Sequence, residues 1–541
     1  MARDAPRRVE VIGGGPGGLF AARLLKRRHP EWAVTVHERL EPGRTFGFGV
    51  GLTGALLDSV RAADPELHRD VLAAGFRFSA GRFLLTRGAV HLPGFNSGVS
   101  IGRTELLRLL LAHAEAAGVV VRFGKPATLD GVRSADLVVA ADGVSSAVRD
   151  RLSAAFRPSI TTGRGLFIWC GSDLELPGST FLPVHTPDGL FVAHAYPYAA
   201  GRSTVVIETD PESRRAAGLD AAELDPLSAD SDERSLDYLS EWFADLSGGR
   251  RLLGNRSRWA HFRVITNESW VHENVVLLGD AAATAHPSLG SGTKLAMDSA
   301  IALHDALDHD EPDIGEALAR FETARRPAVD RLQERARRSQ LWWESFGHRA
   351  DLPPDRVALS FLSRAGVLSL EDLHHSSGGI VPRAVAEFAG VHVDQTPAEG
   401  LTGWVLDRPL RAPGMELSSR LISLAERTVP ISGVLDVEDG DAWGPTGQRL
   451  LDRAADLLAA TPGALVLAGP DDRSAVLNRL AVGERLRAEL AALVVVVVDR
   501  THLQDAADGL VAGRADLVAL TDGPVLETVP ASSPTLRGTP S

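Results

Sequence analysis

Apolar residues over the first 155 positions or so fall into short unbroken runs, each followed by a stretch of helical spacing. Arg8-Val9-Glu10-Val11-Ile12, Ala33-Val34-Thr35-Val36-His37 and Leu137-Val138-Val139-Ala140-Ala141 read as strands of a parallel sheet, as does Asn274-Val275-Val276-Leu277-Leu278 further on. Leu19 to Leu25 repeats its apolar positions as a helix does. From Gly165 to Thr209 the pattern changes to alternation between turn signals such as Pro187-Asp188-Gly189, the grammar of an antiparallel sheet. Asp230 or Ser231 opens a capped helix ahead of Leu236–Phe243, and helical periodicity then persists from the 279 region to about Phe346. Gln395-Thr396-Pro397 and Gly400 mark a linker into a part of different composition. There Leu490–Val498, nine apolar residues, reads as a buried strand, under half of what spans a bilayer. Val529–Ser541 is rich in Pro, Ser and Thr and is expected to fray.

The expected fold is therefore α/β: a Rossmann-like domain, an antiparallel-sheet domain inserted in it, and a small α/β C-terminal domain. The expected boundaries are 1–160 and 266–395 for the two parts of the first domain, the second with a helical region. The inserted sheet domain takes 161–265, the C-terminal domain 400–525, and a disordered tail 526–541.

The strand ends carry the chemistry. After Ile12 comes Gly13-Gly14-Gly15-Pro16-Gly17-Gly18, a Gly-x-Gly-x-x-Gly between strand and helix, which permits a tight turn and close backbone approach to a pyrophosphate. The second strand ends at Glu38, twenty residues past Gly18, where an acid takes ribose hydroxyls. The third runs into Asp142-Gly143 and a helix start, the fourth into Gly279-Asp280. Further on, His286-Pro287 leads to Gly290-Ser291-Gly292-Thr293, a helix start whose backbone N–H groups favour an anionic or carbonyl-bearing ligand. The glycine loop alone leaves a dinucleotide site and an unrelated glycine-rich turn both open.

Charge and cysteine content remove whole classes. A formal charge of -13 and the lack of a basic stripe argue against nucleic acid. The single cysteine, Cys170, can make no internal disulfide, and three methionines offer no soft-metal cluster, so no metal is expected. Arg3, Arg7 and Arg8 lead straight into the first strand without a signal-peptide core, and a cytoplasmic protein without membrane attachment is expected.

Taken together, the three cofactor stretches resemble the single-component flavoprotein aromatic hydroxylases of the p-hydroxybenzoate hydroxylase type. The resemblance implies that Gly13, Gly15, Gly18, Glu38 and Arg39 hold the ADP half of FAD. It also implies that Asp142-Gly143 lies where the flavin pyrophosphate and NAD(P)H pass, and that Asp280 binds the ribityl or pyrophosphate region. Arg103 would sit near the cofactor, and Pro287, Gly290, Gly292 and Thr293 would face the flavin pyrimidine. Ile168-Trp169-Cys170-Gly171, Asp188–Tyr196, Phe46–Val50 and Gly290–Met297 look like the aryl-CoA subgroup, salicylyl-CoA 5-hydroxylase and anthraniloyl-CoA monooxygenase, with the tryptophan hydroxylase of violacein synthesis nearby. Ala283 stands where that pattern has histidine, and Ser299 where it has aspartate.

The implied activity is an oxygenase of secondary metabolism that consumes NAD(P)H and O2, forms a flavin C4a-hydroperoxide, and oxidises an aromatic or tropone-type ring carried as a CoA thioester. His194, Tyr196 and His286 are the candidate catalytic residues, to orient or deprotonate a ring hydroxyl, against the plainer reading of structural hydrogen bonding. Trp169, Phe46 and Phe48 are candidate pocket walls or core packing. Arginines at 325, 326, 331, 335, 337 and 338 suit a phosphate-bearing handle or, more simply, a solvated helix face. Beyond residue 400, Pro409–Arg420 and Leu510–Leu520 resemble the first and last segments of old-yellow-enzyme-type barrels, too close together for a full barrel of about 250 residues. A shortened remnant without FMN is expected, with a thioredoxin-like tail as the rival. A homo-oligomer is compatible with all of this. The other functions left open are a hydroxylase of a free aromatic or polyketide, an FAD dehydrogenase, and an FAD-binding protein with a docking tail. A flavin halogenase is disfavoured because Trp-x-Trp-x-Ile-Pro is absent.

Overall fold

Valine-rich runs buried on both faces need helices above and below, and the computed structural model shows that arrangement. It describes residues 7–220, 230–307, 313–412, 415–426, 428–438 and 441–521. The chain divides into two compact units, 1–354 and 355–541.

In the first unit a six-stranded sheet has the order Val271–His272, Val275–Leu277, Leu137–Ala140, Arg8–Ile12, Ala33–Glu38, Val120–Phe123. All neighbours are parallel except the first pair. Helix Pro16–Arg28 crosses helix Gly292–Leu307 so closely that a Cβ on Gly17 would lie 3.2 Å from the Cβ of Ala296. The second, eight-stranded sheet contains the expected alternating segment as strands Pro158–Ser172, Ser179–Thr186, Gly189–Ala199 and Arg202–Thr209. Neighbours there are antiparallel, apart from Phe76–Leu85, which pairs parallel with Ser179–Thr186. Side chains alternate between its two faces. Ile168, Cys170, Phe191, Ala193, Ala195, Val205 and Ile207 pack in one cluster with Leu236, Leu239 and Phe243, which follow the Asp232 cap. Phe167, Trp169, His194, Tyr196, Thr204 and Glu208 occupy the other face.

The second unit starts earlier than the composition change near 395–400 suggests. Helices Pro354–Ser363, Leu370–Ser376 and Ile380–Ala389 belong to it because Leu359, Leu370, Leu373, Val381 and Val385 share a core with Leu435, Leu465 and Val496. Its five-stranded sheet is wholly parallel, ordered Leu421–Ile422, Leu517–Leu520, Val494–Val498, Ala464–Ala468, Ile431–Asp436. The first strand pairs with the last while the others follow chain order, an arrangement that departs from the mixed sheet of thioredoxin. The apolar run at 490–498 is split: helix Arg473–Leu490 ends there, and only Val494–Val498 is strand. The expected tail at 526–541 lies outside the described residues. Among the described residues no helix is long and apolar enough to cross a membrane.

Candidate functional site

Parallel pairing brings the carboxyl ends of strands Arg8–Ile12, Ala33–Glu38, Leu137–Ala140 and Val275–Leu277 to one edge, and with them Gly13, Glu38, Asp142 and Asp280. The glycine loop is built from backbone against backbone. Gly13 has φ +110°, and a Cβ there would lie 2.2 Å from the Ala141 carbonyl oxygen; a Cβ on Gly18 would lie 2.1 Å from the Gly13 carbonyl oxygen. A Cβ on Gly15, by contrast, would meet nothing within 4 Å, so this glycine borders open space just ahead of helix Pro16–Arg28. That is the cradle a diphosphate needs: a helix N-terminus, whose first backbone N–H groups have no intrahelical acceptor, beside a glycine that leaves the space in front of it unfilled. Glu38 accepts from the Gly14 N–H (2.8 Å) through one oxygen and from the Leu40 N–H (2.8 Å) through the other, which fixes its carboxylate beside the loop. Arg39 is exposed.

Across the sheet, Asp142 accepts from the Val148 N–H through Oδ2 (3.2 Å), while its buried Oδ1 has no partner. Gly143, at φ +84°, also borders open space. Asp280 is open to solvent yet surrounded by enough protein that burial raises its carboxyl above the ordinary range, as expected for an acid lining a recess. The Arg103 guanidinium opposes part of that rise, and burial in turn lowers Arg103. Arg103 Nε donates to Thr45 Oγ1 (3.1 Å), and the guanidinium lies 4.4 Å over the Phe46 ring. Pro287–Leu289 forms a single 3₁₀ turn, Gly290 turns at φ +63°, and Gly292 opens helix Gly292–Leu307 with free space around both glycines. Thr293 lies partly buried in its first turn. Unsatisfied Asp142 Oδ1, side-chain-free glycines at three helix or turn starts and a recessed acid fit a dinucleotide cofactor such as FAD.

The aromatic face of the large sheet meets this edge. Phe46 meets Trp169 edge-on at 6.2 Å, and a Cβ on Gly47 (φ +73°) would run into the Trp169 ring at 2.6 Å. Trp169 Nε1 donates to Thr204 Oγ1 (2.6 Å). A Cβ on Gly171 would similarly strike Phe48, which places Phe48 against this strand. His194 and Tyr196 share the face, two residues apart on one strand. The Tyr196 hydroxyl donates to the Gly49 carbonyl (3.0 Å), and burial raises its pKa, which suits a strut better than a proton acceptor. The His194 ring lies 3.8 Å from Trp343 and 5.7 Å from Phe181, with Nε2 3.3 Å from Glu208 Oε1. His286, 2% exposed, accepts the Ser288 N–H at Nδ1 (3.3 Å), so its neutral ring carries the proton on Nε2. Its ring packs on Phe262 (4.2 Å), which stacks on Phe167 (4.0 Å) in the same face of the sheet. His194 and Tyr196 thus lie on one sheet face, and His286 reaches that face from another element through Phe262 and Phe167.

Several residues escape a reading by motif. Arg149 donates to the Val144 carbonyl (3.0 Å) and the Ala281 carbonyl (3.4 Å), tying the Asp142 loop to the Asp280 turn; Asn267 Nδ2 donates to the Ala281 (3.4 Å) and Ala282 carbonyls (2.5 Å). Nothing local announces these partners, which lie 132 and 14 to 15 residues away in sequence. Ala283 is 5% exposed, and Ser299 accepts from Arg325 Nε (3.1 Å), so both departures from the subgroup pattern fill packed positions. The arginine run belongs largely to its own helix and neighbours: Arg325 to Ser299, Arg326 to the Asn267 carbonyl and Glu322, Arg337 and Arg338 to Glu334.

Residues 7–336 match the FAD binding domain family. The chain is 36% identical over 545 residues to salicyloyl-CoA 5-hydroxylase of Streptomyces sp, across 95% of this chain and 100% of that protein. It is 39% identical over 378 residues to 3-hydroxy-4-methyl-anthranilyl-[aryl-carrier protein] 5-monooxygenase of Streptosporangium sibiricum, across 69% and 99% of the two. Among solved structures, the tetrameric form of 2-methyl-3-hydroxypyridine-5-carboxylic acid oxygenase superposes with a TM-score of 0.54 at 23% identity, over 67% of this chain and 96% of that one. That last likeness concerns the fold alone.

Proposed function

The chain belongs to the FAD binding domain family, and from that premise we propose that it is an FAD-dependent monooxygenase hydroxylating an aromatic ring presented as a thioester, on CoA or on a carrier protein. The observation that carries this reading is the continuity between the two halves of the site. Phe46 stacks under Arg103 on the cofactor edge and touches Trp169 on the aromatic sheet face, so a ring held on that face lies beside the dinucleotide recess. The thioester part rests on the two relatives, whose names specify an aromatic acyl group on a thiol carrier; the match to the first includes the C-terminal unit.

Gly13, Gly15 and Gly18 would hold the FAD pyrophosphate, Glu38 the ribose, and Asp142, Asp280, Arg103 and the Gly290–Thr293 turn the remainder. When bound, FAD supplies electron transfer from NAD(P)H and activation of O2. The chain itself supplies position and dryness. Trp169, Phe167, Phe262 and Trp343 offer a water-excluding aromatic surface, and His194, on that surface, takes the proton of the ring hydroxyl. A remote thiol carrier adds binding energy far from the reacting ring, usable to hold the ring in place.

NAD(P)H oxidation by the FAD-loaded protein is expected to be stimulated about tenfold or more by an aryl thioester relative to the matching carboxylate. Stopped spectrophotometric assays with hydroxybenzoyl-CoA, the same acyl group on a carrier protein, and the free acid test this. Efficient turnover of free acids with both thioesters ignored would overturn the thioester assignment.

A further inference from the structure

The amino edge of the parallel sheet in the second unit gathers three arginines from three separate elements. Arg420 directly precedes strand Leu421–Ile422, Arg487 lies in the last turn of helix Arg473–Leu490, and Arg356 lies in the first turn of helix Pro354–Ser363. Strand Leu421–Ile422 pairs in parallel with Leu517–Leu520, which brings Arg420 beside Asp516. All three arginines are half-buried, neither sealed in the core nor free in solvent. Two of them converge on one point: a Cβ on Gly513 (φ +81°) would lie 3.4 Å from Arg356 Nη2 and 3.4 Å from Arg487 Nη1. The third meets the second at Asp516. Arg420 Nη1 donates to the Asp516 carbonyl (3.0 Å), and Arg487 Nε donates to Asp516 Oδ2 (2.9 Å). The Arg420 guanidinium also lies 4.8 Å over the Phe388 ring, which fixes its plane.

Like charges gathered in this way need a reason. A helix C-terminus supplies part of one. Arg356 Nε donates to the carbonyl of Val511 (2.8 Å), the last residue of helix Leu503–Val511, and Arg487 Nη1 donates to the Gly513 carbonyl just beyond it. These bonds engage few of the available donors. A guanidinium carries five N–H groups, yet among the described residues Arg356 engages only Nε in a hydrogen bond, Arg420 only Nη1, and Arg487 only Nε and Nη1. The acids within reach do not balance the charge either. Asp516 Oδ2 is shared with the Val494 N–H (3.0 Å), and Glu387, on helix Ile380–Ala389, acts on Arg356. Three cations thus face two acids. Burial lowers both Arg356 and Arg420, and the charge of Arg487 lowers each further, against the opposing pull of Glu387 and Asp516.

We propose that Arg356, Arg420 and Arg487 form a binding site for a phosphate monoester group, contained wholly in the second unit. A carboxylate is served by one planar guanidinium fork, whereas forks arriving from three elements suit a tetrahedral group. A phosphate monoester brings three acceptor oxygens and a charge of about -1.5 to -2, which offsets the excess of positive charge. Two sources carry this chemistry: the 3′-phosphate of a CoA handle, and free phosphate. The site does not depend on the thioester reading, and the first source would join the two.

The test is isothermal titration calorimetry of the FAD-loaded full-length protein with inorganic phosphate, CoA and dephospho-CoA, at ionic strength held constant with chloride. Inorganic phosphate or CoA is expected to bind, and Arg356→Gln and Arg420→Gln are each expected to weaken that binding about tenfold or more. Arg356→Lys keeps the charge but loses the planar fork, and should weaken it by less. Arg383→Gln removes an exposed arginine paired with Asp355 in the same unit, and should leave binding unchanged. Circular dichroism checks that each variant is folded; should a glutamine variant unfold, the lysine variant and the other position decide the outcome. CoA binding about tenfold tighter than dephospho-CoA would identify the handle as the source. Equal binding of CoA and inorganic phosphate would identify a free phosphate group. Failure of both phosphate and CoA to bind, or binding equal in the wild type and every arginine variant, would overturn the proposal. Absent thioester turnover beside intact phosphate binding would count against the hydroxylation reading alone.

Discussion

Alanine at Gly18 is expected to yield a folded chain that retains FAD about 10- to 100-fold more weakly. A Cβ there would lie 2.1 Å from the Gly13 carbonyl oxygen and 3.2 Å from the Ala141 Cβ. Neither neighbour can swing aside: Gly13 is fixed by its own N–H donating to the His37 carbonyl (2.8 Å), and Ala141 by its N–H donating to Ile12 (2.8 Å). The helix start must move outward from the strand, taking with it the N–H groups that border the open space at Gly15. Overpacking of this kind costs about 1–3 kcal/mol, which, drawn from the cofactor-binding geometry, corresponds to roughly one to two decades of affinity. FAD retained through gel filtration, and the dissociation constant on reconstitution, measure it. Gly201→Ala is the control. Its φ of +67° makes alanine strained by about 1–2 kcal/mol, but nothing lies within 4 Å of the added carbon, so FAD retention should be unchanged.

The second large effect concerns His194. Replacement by alanine is expected to lower kcat by about 10²-fold or more, with a much smaller change in KM, because general-base assistance acts on the transition state rather than on ground-state binding. FAD content should stay at the wild-type level, since His194 lies on the sheet face and not among the strand ends. A purely structural histidine, packed against Trp343 at 3.8 Å, would instead show its loss as a lower unfolding midpoint and a proportionate fall at every pH. Steady-state kinetics together with thermal denaturation separate the two outcomes.

How much of this could be read from the sequence depends on the range of the interactions. The glycine loop, Glu38, Asp142 and Asp280 were legible because a parallel strand followed by a turn is local grammar, and the ends of parallel strands gather at one edge whatever the details of the sheet. The alternation of 165–209 likewise predicted two faces, and the structure places His194 and Tyr196 on the one opposite helix Glu233–Trp242. Glu208 was not legible. Its setting comes from a diagonal neighbour across the sheet and from Glu344, 136 residues further along, and a single acid in Ile207-Glu208-Thr209 looks like the solvated position of an alternating strand. Arg149 was quoted within a helix start yet spans to Ala281. The division at residue 354 was hidden for a related reason: helical periodicity shows that a helix has an apolar face, not which core that face joins.

The central claim, oxygen transfer to a thioester-borne aromatic ring, is tested most directly by turnover under ¹⁸O2 with NAD(P)H and a hydroxybenzoyl thioester, followed by mass spectrometry of the released acyl group. One ¹⁸O atom in the ring for each NAD(P)H oxidised is the expected result. NAD(P)H oxidation that yields only hydrogen peroxide with every aryl thioester tried, or ring oxygen that derives from water, would contradict it.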